Sequence, residues 1–211
     1  MDRHHQLTTF QIDLAAIFFA LDAAEGYLVA GGAALLASDL IARPTEDLDL
    51  FAGTPTTSVT PAKDAFAQAL HNRGCAVVIV HDAPTFCRLV VERAGEQTLV
   101  DLAIDSPPHS RPTITVLGPT LAPLELAGRK LLALFGRAEA RDFADVYVLA
   151  QRFGTAALIE QAQELDAGFD PGVLAQMIGT IGRFEDHEIP LAPEELPPAR
   201  SFFADWASEL G

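Results

Sequence analysis

Two glycines followed downstream by two aspartates one residue apart are the residues of this sequence best suited to chemistry. Leu28-Val29-Ala30 reads as a short strand, Gly31-Gly32 as a tight turn and Ala33 to Leu40 as a helix. The stretch Arg43-Pro44-Thr45-Glu46-Asp47-Leu48-Asp49-Leu50-Phe51 then ends in polar–apolar alternation, the pattern of a half-buried strand. Side chains at i and i+2 of a strand share a face, so Asp47 and Asp49 project to the same side. Two close carboxylates repel each other, and a hard divalent cation between them relieves the repulsion. Mg²⁺ prefers oxygen ligands and commonly combines one or two carboxylates with substrate phosphates. Glycines let the backbone approach a ligand closely, and free N–H groups at a helix start attract anions, so Gly31 and Gly32 offer those phosphates a place. Phosphates beside a metal beside paired carboxylates is the chemistry of nucleotidyl transfer.

Other residues could join them. Leu99-Val100-Asp101-Leu102-Ala103-Ile104-Asp105 alternates in the same way. A two-metal site often uses a third carboxylate on a neighbouring strand. Asp101 sits mid-strand, where an unpaired carboxylate is costly to bury, whereas Asp105 sits where turn residues are ordinary, so Asp101 is favoured over Asp105 as the third metal ligand beside Asp47 and Asp49. Arg43 and Thr45 read equally well as a phosphate-binding cation and hydroxyl or as a helix-end charge and a local donor. By spacing alone Lys130 and Arg137 fit a solvated basic face on an amphipathic helix, and Asp142 fits a first-turn residue complementing a helix dipole. Cys75 and Cys87 lack a metal-binding or redox spacing and read as ordinary buried thiols of a reducing compartment. The six histidines, His4-His5 near the start among them, show no metal spacing.

These residues need elements to hold them. Thr9 to Leu21 has apolar residues at helical spacing, Gly53 to Thr60 is loop-like, and Pro61 to Asn72 is a helix with Pro in its first turn and Gly74 past its end. Strands are expected at Ala76 to Val80, Phe86 to Glu92 and Thr98 to Ile104, with a turn at Gly95. Gly118-Pro119 is read as the domain boundary. Beyond it helices are expected at Pro123 to Phe135, Arg141 to Arg152, Thr155 to Asp166 and Pro171 to about Ile181. Proline-rich Glu188 to Arg200 reads as extended, and Ser201 to Leu210 as a terminal helix anchored by Phe202, Phe203 and Trp206. The plan is α+β, a mixed-sheet domain over residues 1–118 and a helical domain over residues 119–211.

Composition bounds the function. With 211 residues and 49% hydrophobic content the chain can bury a proper core. No apolar run approaches the roughly 20 residues that span a bilayer, and Asp13 interrupts the first apolar stretch, so no membrane partner and a cytoplasmic location are expected. A net charge of −15 argues against a surface that coats nucleic acid broadly. The charge is uneven: Arg129, Lys130, Arg137, Arg141 and Arg152 cluster, while beyond Gly154 only Arg183 and Arg200 offset many Asp and Glu.

From about Tyr27 to Phe153 the sequence resembles the AbiEii/AbiGii-type nucleotidyltransferases, toxins of abortive-infection and toxin–antitoxin systems in the polymerase-β-like nucleotidyltransferase superfamily. The resemblance rests on Gly31-Gly32 with Arg43-x-Thr45-x-Asp47-x-Asp49-x-Phe51, then Lys130-Leu131-x-Ala133-Leu134-x-x-Arg137 with Arg141-Asp142-x-x-Asp145. It implies a polymerase-β-like fold and an enzyme that uses a nucleoside triphosphate and Mg²⁺, in a two-metal site, to transfer a nucleotide to an acceptor, tRNA in characterised relatives. It also implies a cognate antitoxin. Asp47 and Asp49 would hold the metals, Gly31 and Gly32 would cradle the triphosphate, and Lys130 and Asp142, from a helical domain completing the active site, would bind phosphate and position the lysine or a base. Many superfamily members carry Gly-Ser where this chain has Gly31-Gly32, leaving backbone amides to hold phosphate. The acidic C-terminal region would also suit a small-molecule or protein acceptor, and the non-enzymatic alternative is a module that keeps the fold and binds only a partner.

Overall fold

The computed structural model describes residues 7–53 and 56–211, so His4, His5 and part of the Gly53–Thr60 loop lie outside the described residues. The chain divides into two compact units, residues 1–123 and 124–211.

The first unit is built on a seven-stranded mixed sheet: β1 (Tyr27–Ala30), β2 (Asp47–Ala52), β3 (Ala76–Ala83), β4 (Phe86–Arg93), β5 (Glu96–Ile104), β6 (Thr113–Thr115) and β7 (Gly118–Thr120). Their spatial order is β3-β4-β5-β2-β1-β7-β6. β2 runs parallel to β5 and β1 parallel to β7, and the other neighbours are antiparallel. The β4–β5 hairpin turns at Ala94-Gly95, both at positive φ, the paired left-handed geometry that follows strand twist. In β3 the register shifts between Ile79 and His81, which leaves Val80 as an extra residue opposite β4.

Alternation divides the sheet into two faces. Leu48 and Leu50 of β2, Leu89 and Val91 of β4 and Val100 and Leu102 of β5 are fully buried. Helices α1 (Thr9–Phe19) and α3 (Thr60–His71) pack with each other and against the sheet, α1 on β5 and β7 and α3 on β3. Phe18 sits at their junction, edge-on to Phe66 at 5.2 Å and to Tyr27 at 5.2 Å. Thr8 and Gln11 bond reciprocally to start α1. The opposite parity, Asp47 and Asp49 on β2, Asp101 on β5 and Arg88 on β4, forms the other face. Short α2 (Gly31–Ala37) links β1 to the loop before β2; it starts at Gly31 and stops at Ala37, so the two glycines are the first turn of the helix itself and not a separate turn ahead of a helix from Ala33 to Leu40.

The second unit is helical: α4 (Pro123–Gly136), α5 (Ala140–Phe153), α6 (Thr155–Leu165), α7 (Pro171–Ile178) and α8 (Leu196–Leu210), with short 3₁₀ turns at Gly179–Arg183 and Asp186–Glu188. Its core is aromatic, with Phe203 edge-on to Phe143 at 5.2 Å and beside Phe202 and Trp206. One expectation here needs correction. The extended reading of Glu188 to Arg200 fails because α8 begins at Leu196: Pro197 and Pro198 occupy its first turn, where no intrahelical N–H bond is lost. Strands β6 and β7 went unread, since three-residue strands carry no usable alternation; Gly118 and Pro119 lie in β7, beside β6. Cys75 and Cys87 are free and buried, and burial pushes the Cys87 thiol up to about 11.

Phe203 is fully buried, and Trp206, the single tryptophan, lies against it. Phe203→Ala is expected to cost about 3–5 kcal/mol, read as a lower midpoint in urea unfolding followed by Trp206 fluorescence.

Candidate active site

In the first unit the β1–β2 register sets Ala30 opposite Asp49, which brings the turn after β1 against that carboxylate. Gly31 has φ +63°, and a Cβ there would collide with Asp49 Oδ2 and lie 2.7 Å from its Cγ. A Cβ on Gly32 would lie 2.8 Å from Thr45 Oγ1 and 3.8 Å from Arg43 Nη2. Both glycines are therefore required by close approach, the first also by its backbone. Thr45 Oγ1 donates to Asp47 Oδ1, and the buried Gln11 of α1 donates from Nε2 to the Thr45 carbonyl at 2.9 Å. The loop carrying Arg43 and Thr45 is thus fastened to the core helix. The structure gathers Gly31, Gly32, Arg43, Thr45, Asp47 and Asp49 in one place.

Asp101 is the Cα partner of Asp49 on the adjacent parallel strand and shares its face. It is 6% exposed, and both its oxygens are engaged by Arg88: Nε donates to Oδ1 at 2.8 Å and Nη2 to Oδ2 at 2.6 Å. Arg88 is held above the usual guanidinium value chiefly by its hydrogen bond to Asp101, with smaller contributions from the charges of Asp49 and Asp47. Asp105 is exposed and accepts the Ser106 N–H at 2.7 Å. Among the described residues no group of three or more His, Cys, Asp and Glu side chains is arranged to hold a metal. Asp47 and Asp49 remain a matched pair of hard oxygen donors, the number Mg²⁺ commonly takes when phosphates complete its shell, so the donor set fits that ion.

In the second unit Lys130 of α4 is 8% exposed and lies 3.3 Å from Asp142 Oδ1 and 3.0 Å from Asp145 Oδ2, both on α5. Asp142 is fully buried. It accepts from Arg137 Nε at 2.9 Å, from Arg137 Nη2 at 3.1 Å and from the Glu139 N–H at 3.2 Å. Burial alone would raise its pKa, but the Arg137 hydrogen bond and the charges of Lys130 and Arg137 outweigh that and hold it below the ordinary value of 3.8. The solvated-face reading of Lys130 is replaced by a buried ion cluster. The first-turn reading of Asp142 holds in part, since it bonds back to the start of α5.

The sequence matches the family model described as nucleotidyl transferase AbiEii toxin, type IV toxin–antitoxin system, over residues 13–210. The chain belongs to the AbiEii nucleotidyltransferase toxin family. No curated protein matches it. Solved structures share its fold: a protein described as a nucleotidyltransferase from H. pylori, at 19% identity and TM-score 0.58, covers 97% of this chain and 96% of its own. JHP933 from Helicobacter pylori follows at 18% identity and TM-score 0.57, over 97% of this chain and 93% of its own. The nucleotidyltransferase toxin MenT4 from Mycobacterium tuberculosis aligns at 15% identity and TM-score 0.54, over 100% of this chain and 91% of its own. The expected α+β nucleotidyltransferase fold, the family and the enzyme class all stand. Among the described residues of this AbiEii chain no helix is long and apolar enough to cross a membrane.

Sequence reasoning missed Arg88. Its only signal was its place in an alternating strand beside the one that carries Asp101, and strand pairing is not written in either segment alone. Arg137 and Asp145 stood inside the family pattern, but their convergence on the Lys130–Asp142 pair needed the α4–α5 packing.

Two outcomes follow from this geometry. Gly31→Ala places a Cβ at positive φ and against Asp49, so a loss of about 1–2 kcal/mol is expected from the backbone alone, measured by urea unfolding, with the Asp49 site displaced. Asp142 has a depressed folded pKa, so its stabilisation is complete above pH 3.8 and is lost as the pH falls from there through its lower folded value. In Asp142→Asn the acid limb of a stability-against-pH curve should therefore be shallower than in wild type. An identical limb would remove Asp142 from the acid-sensitive set.

Proposed function

We propose that this AbiEii-family toxin transfers a nucleotide from a nucleoside triphosphate to the end of an RNA, most simply tRNA, with Mg²⁺ held by Asp47 and Asp49. The observation that supports this most directly is the seating of the glycine turn against the paired carboxylates, with no room for a side chain between them. A triphosphate bound along that turn would bring its α-phosphate to the carboxylates that carry the ion. Bound Mg²⁺ would supply charge neutralisation and alignment of the phosphate oxygens.

The residues of this chain have separate tasks. Gly31 and Gly32 give the triphosphate close access to backbone amides, and Arg43 and Thr45 stand beside them to add a cation and a hydroxyl. Thr45 also fixes Asp47 by donating to it. The acceptor hydroxyl oxygen bonds to the α-phosphorus as the bond to pyrophosphate breaks, pyrophosphate leaves with the electron pair, and the hydroxyl proton passes to solvent. Lys130 and Asp142 are assigned to nucleotide handling on the family pattern. Within the second unit, the support is a lysine held in one orientation by two buried carboxylates, Asp142 and Asp145. A site of action in the cytoplasm, where nucleotides and tRNA coexist, and regulation by an antitoxin complete the reading.

The test is incubation of the purified protein with Mg²⁺, each labelled nucleoside triphosphate in turn and total tRNA, beside Asp49→Ala. Label is expected on RNA with the wild type and at least about 10³-fold less with the variant, since the variant loses a metal-binding carboxylate. Equal labelling by both would remove Asp49 from the reaction. Mg²⁺-dependent nucleotide binding that Asp49→Ala abolishes, without label on RNA, would move the acceptor to a small molecule or a protein.

A further inference from the structure

The face of the sheet that bears Asp47 and Asp49 carries one continuous row of residues. Ala30 pairs with Asp49, Asp49 with Asp101, Asp101 with Arg88 and Arg88 with His81, a line across β1, β2, β5, β4 and β3. Ala30 leads directly into the Gly31-Gly32 turn, so the β1 end of the row is where the proposed function seats the triphosphate. In an in-line displacement the attacking oxygen and the leaving group lie on opposite sides of the reacting phosphorus. With pyrophosphate leaving toward the β1 end, the acceptor approaches from the β5–β4–β3 end, where Arg88 stands.

Arg88 is built to meet a ligand there. Its Nε and Nη2 are tied to Asp101, whose side chain is only 9% exposed, while the Arg88 side chain is 44% exposed. Nη1 makes no hydrogen bond among the described residues and remains available as a donor. The bidentate pair fixes the guanidinium plane, which lowers the ordering cost of using it for recognition. Beside it on the same face is Phe86, its ring centroid 5.7 Å from the Arg88 Cζ and 5.4 Å from the His81 ring. Phe86 is half-buried and His81 exposed. A fixed guanidinium with an aromatic ring and an imidazole on a sheet face suits a phosphate followed by a stacked base.

We propose that Arg88, Phe86 and His81 form the acceptor-binding edge of the active site and hold the terminal nucleotides of a single-stranded RNA end. Asp101 is then a positioning residue that aims Arg88, in place of a third metal ligand. This rests on the nucleotidyl-transfer reading of Asp47 and Asp49. It explains how a carboxylate can stand beside Asp49 without joining it: each Asp101 oxygen already has a charged donor.

The experiment separates acceptor from donor. The full-length protein and its Arg88→Lys, Phe86→Leu, His81→Ala and Asp101→Asn variants are assayed for KM toward total tRNA. Mg²⁺-dependent nucleotide affinity is measured for each by calorimetry without RNA. Arg88→Lys and Phe86→Leu should raise the tRNA KM about tenfold, with Mg²⁺-dependent nucleotide affinity held within about twofold. Asp101→Asn should follow Arg88→Lys in both readouts. Phe86→Leu keeps an apolar side chain and leaves the Arg88–Asp101 pair intact, so it tests the edge even if the charged variants fold poorly. A tRNA KM unchanged in Phe86→Leu and Arg88→Lys overturns the proposal, as does an Asp101→Asn variant that loses nucleotide affinity the way Asp49→Ala does. A wild type that binds nucleotide with Mg²⁺ yet labels no RNA overturns the acceptor edge alone; one that does neither overturns the underlying reading with it.

Discussion

The close contact between Gly31 and Asp49 is the constraint from which the rest of the first unit follows. A backbone turn pressed against a carboxylate is possible only where no Cβ intervenes and φ is positive, and only if the strands on either side hold their register. A slip of one residue between β1 and β2 would turn Asp49 toward the helix-covered face and set Leu48 or Leu50 in its place. The register is held by burial: Leu48 and Leu50 are fully enclosed, and exchanging them with aspartates would strand charges in the core. The apolar half of β2 thereby fixes the chemistry of its polar half. Gln11 extends the same logic to the loop, since a core helix reaches out to hold the Thr45 carbonyl.

The second unit solves a different problem with similar means. Asp142, Asp145 and Lys130 are all buried, and none could be so alone. Arg137 contributes two hydrogen bonds from the start of the α4–α5 connection, and the Glu139 amide adds another, so Asp142 is satisfied by side chains and backbone together. Such a cluster is a poor source of net stability. Its effect is to hold the Lys130 ammonium in one orientation, which a long flexible side chain would otherwise sample only in part.

Legibility followed the range of the interactions involved. Helix α1, the Asp-bearing strand, the Ala94-Gly95 hairpin and the amphipathic helices of the second unit are encoded in local periodicity and turn residues, and their reading from sequence needed no partner. Asp47 and Asp49 could be placed on one face because that follows from strand parity. What Asp101 touches could not be read, because Arg88 lies on another strand and the pairing depends on the β4–β5 register. The same holds for Lys130, whose spacing on α4 suggests solvent until α5 is laid against it. Pro197 and Pro198 misled for a different reason: proline opposes a helix interior yet is compatible with its first turn, and composition does not reveal which position it occupies.

The extra residue in β3 has a consequence for how this molecule behaves among copies of itself. β3 is an edge strand, and Val78, Ile79 and Val80 are 60%, 46% and 59% exposed. A long, flat apolar edge of that kind is a template for intermolecular strand pairing, the route by which folded sheets seed aggregates. The irregularity at Val80 breaks the run of evenly spaced N–H and C=O groups in its middle and twists the strand locally. Deleting Val80 would leave His81 and Asp82 facing the same ways, because the residues after it are already in phase with β4. It would also remove the one interruption along this edge. The bulge thus interrupts the pairing template along this margin of the sheet.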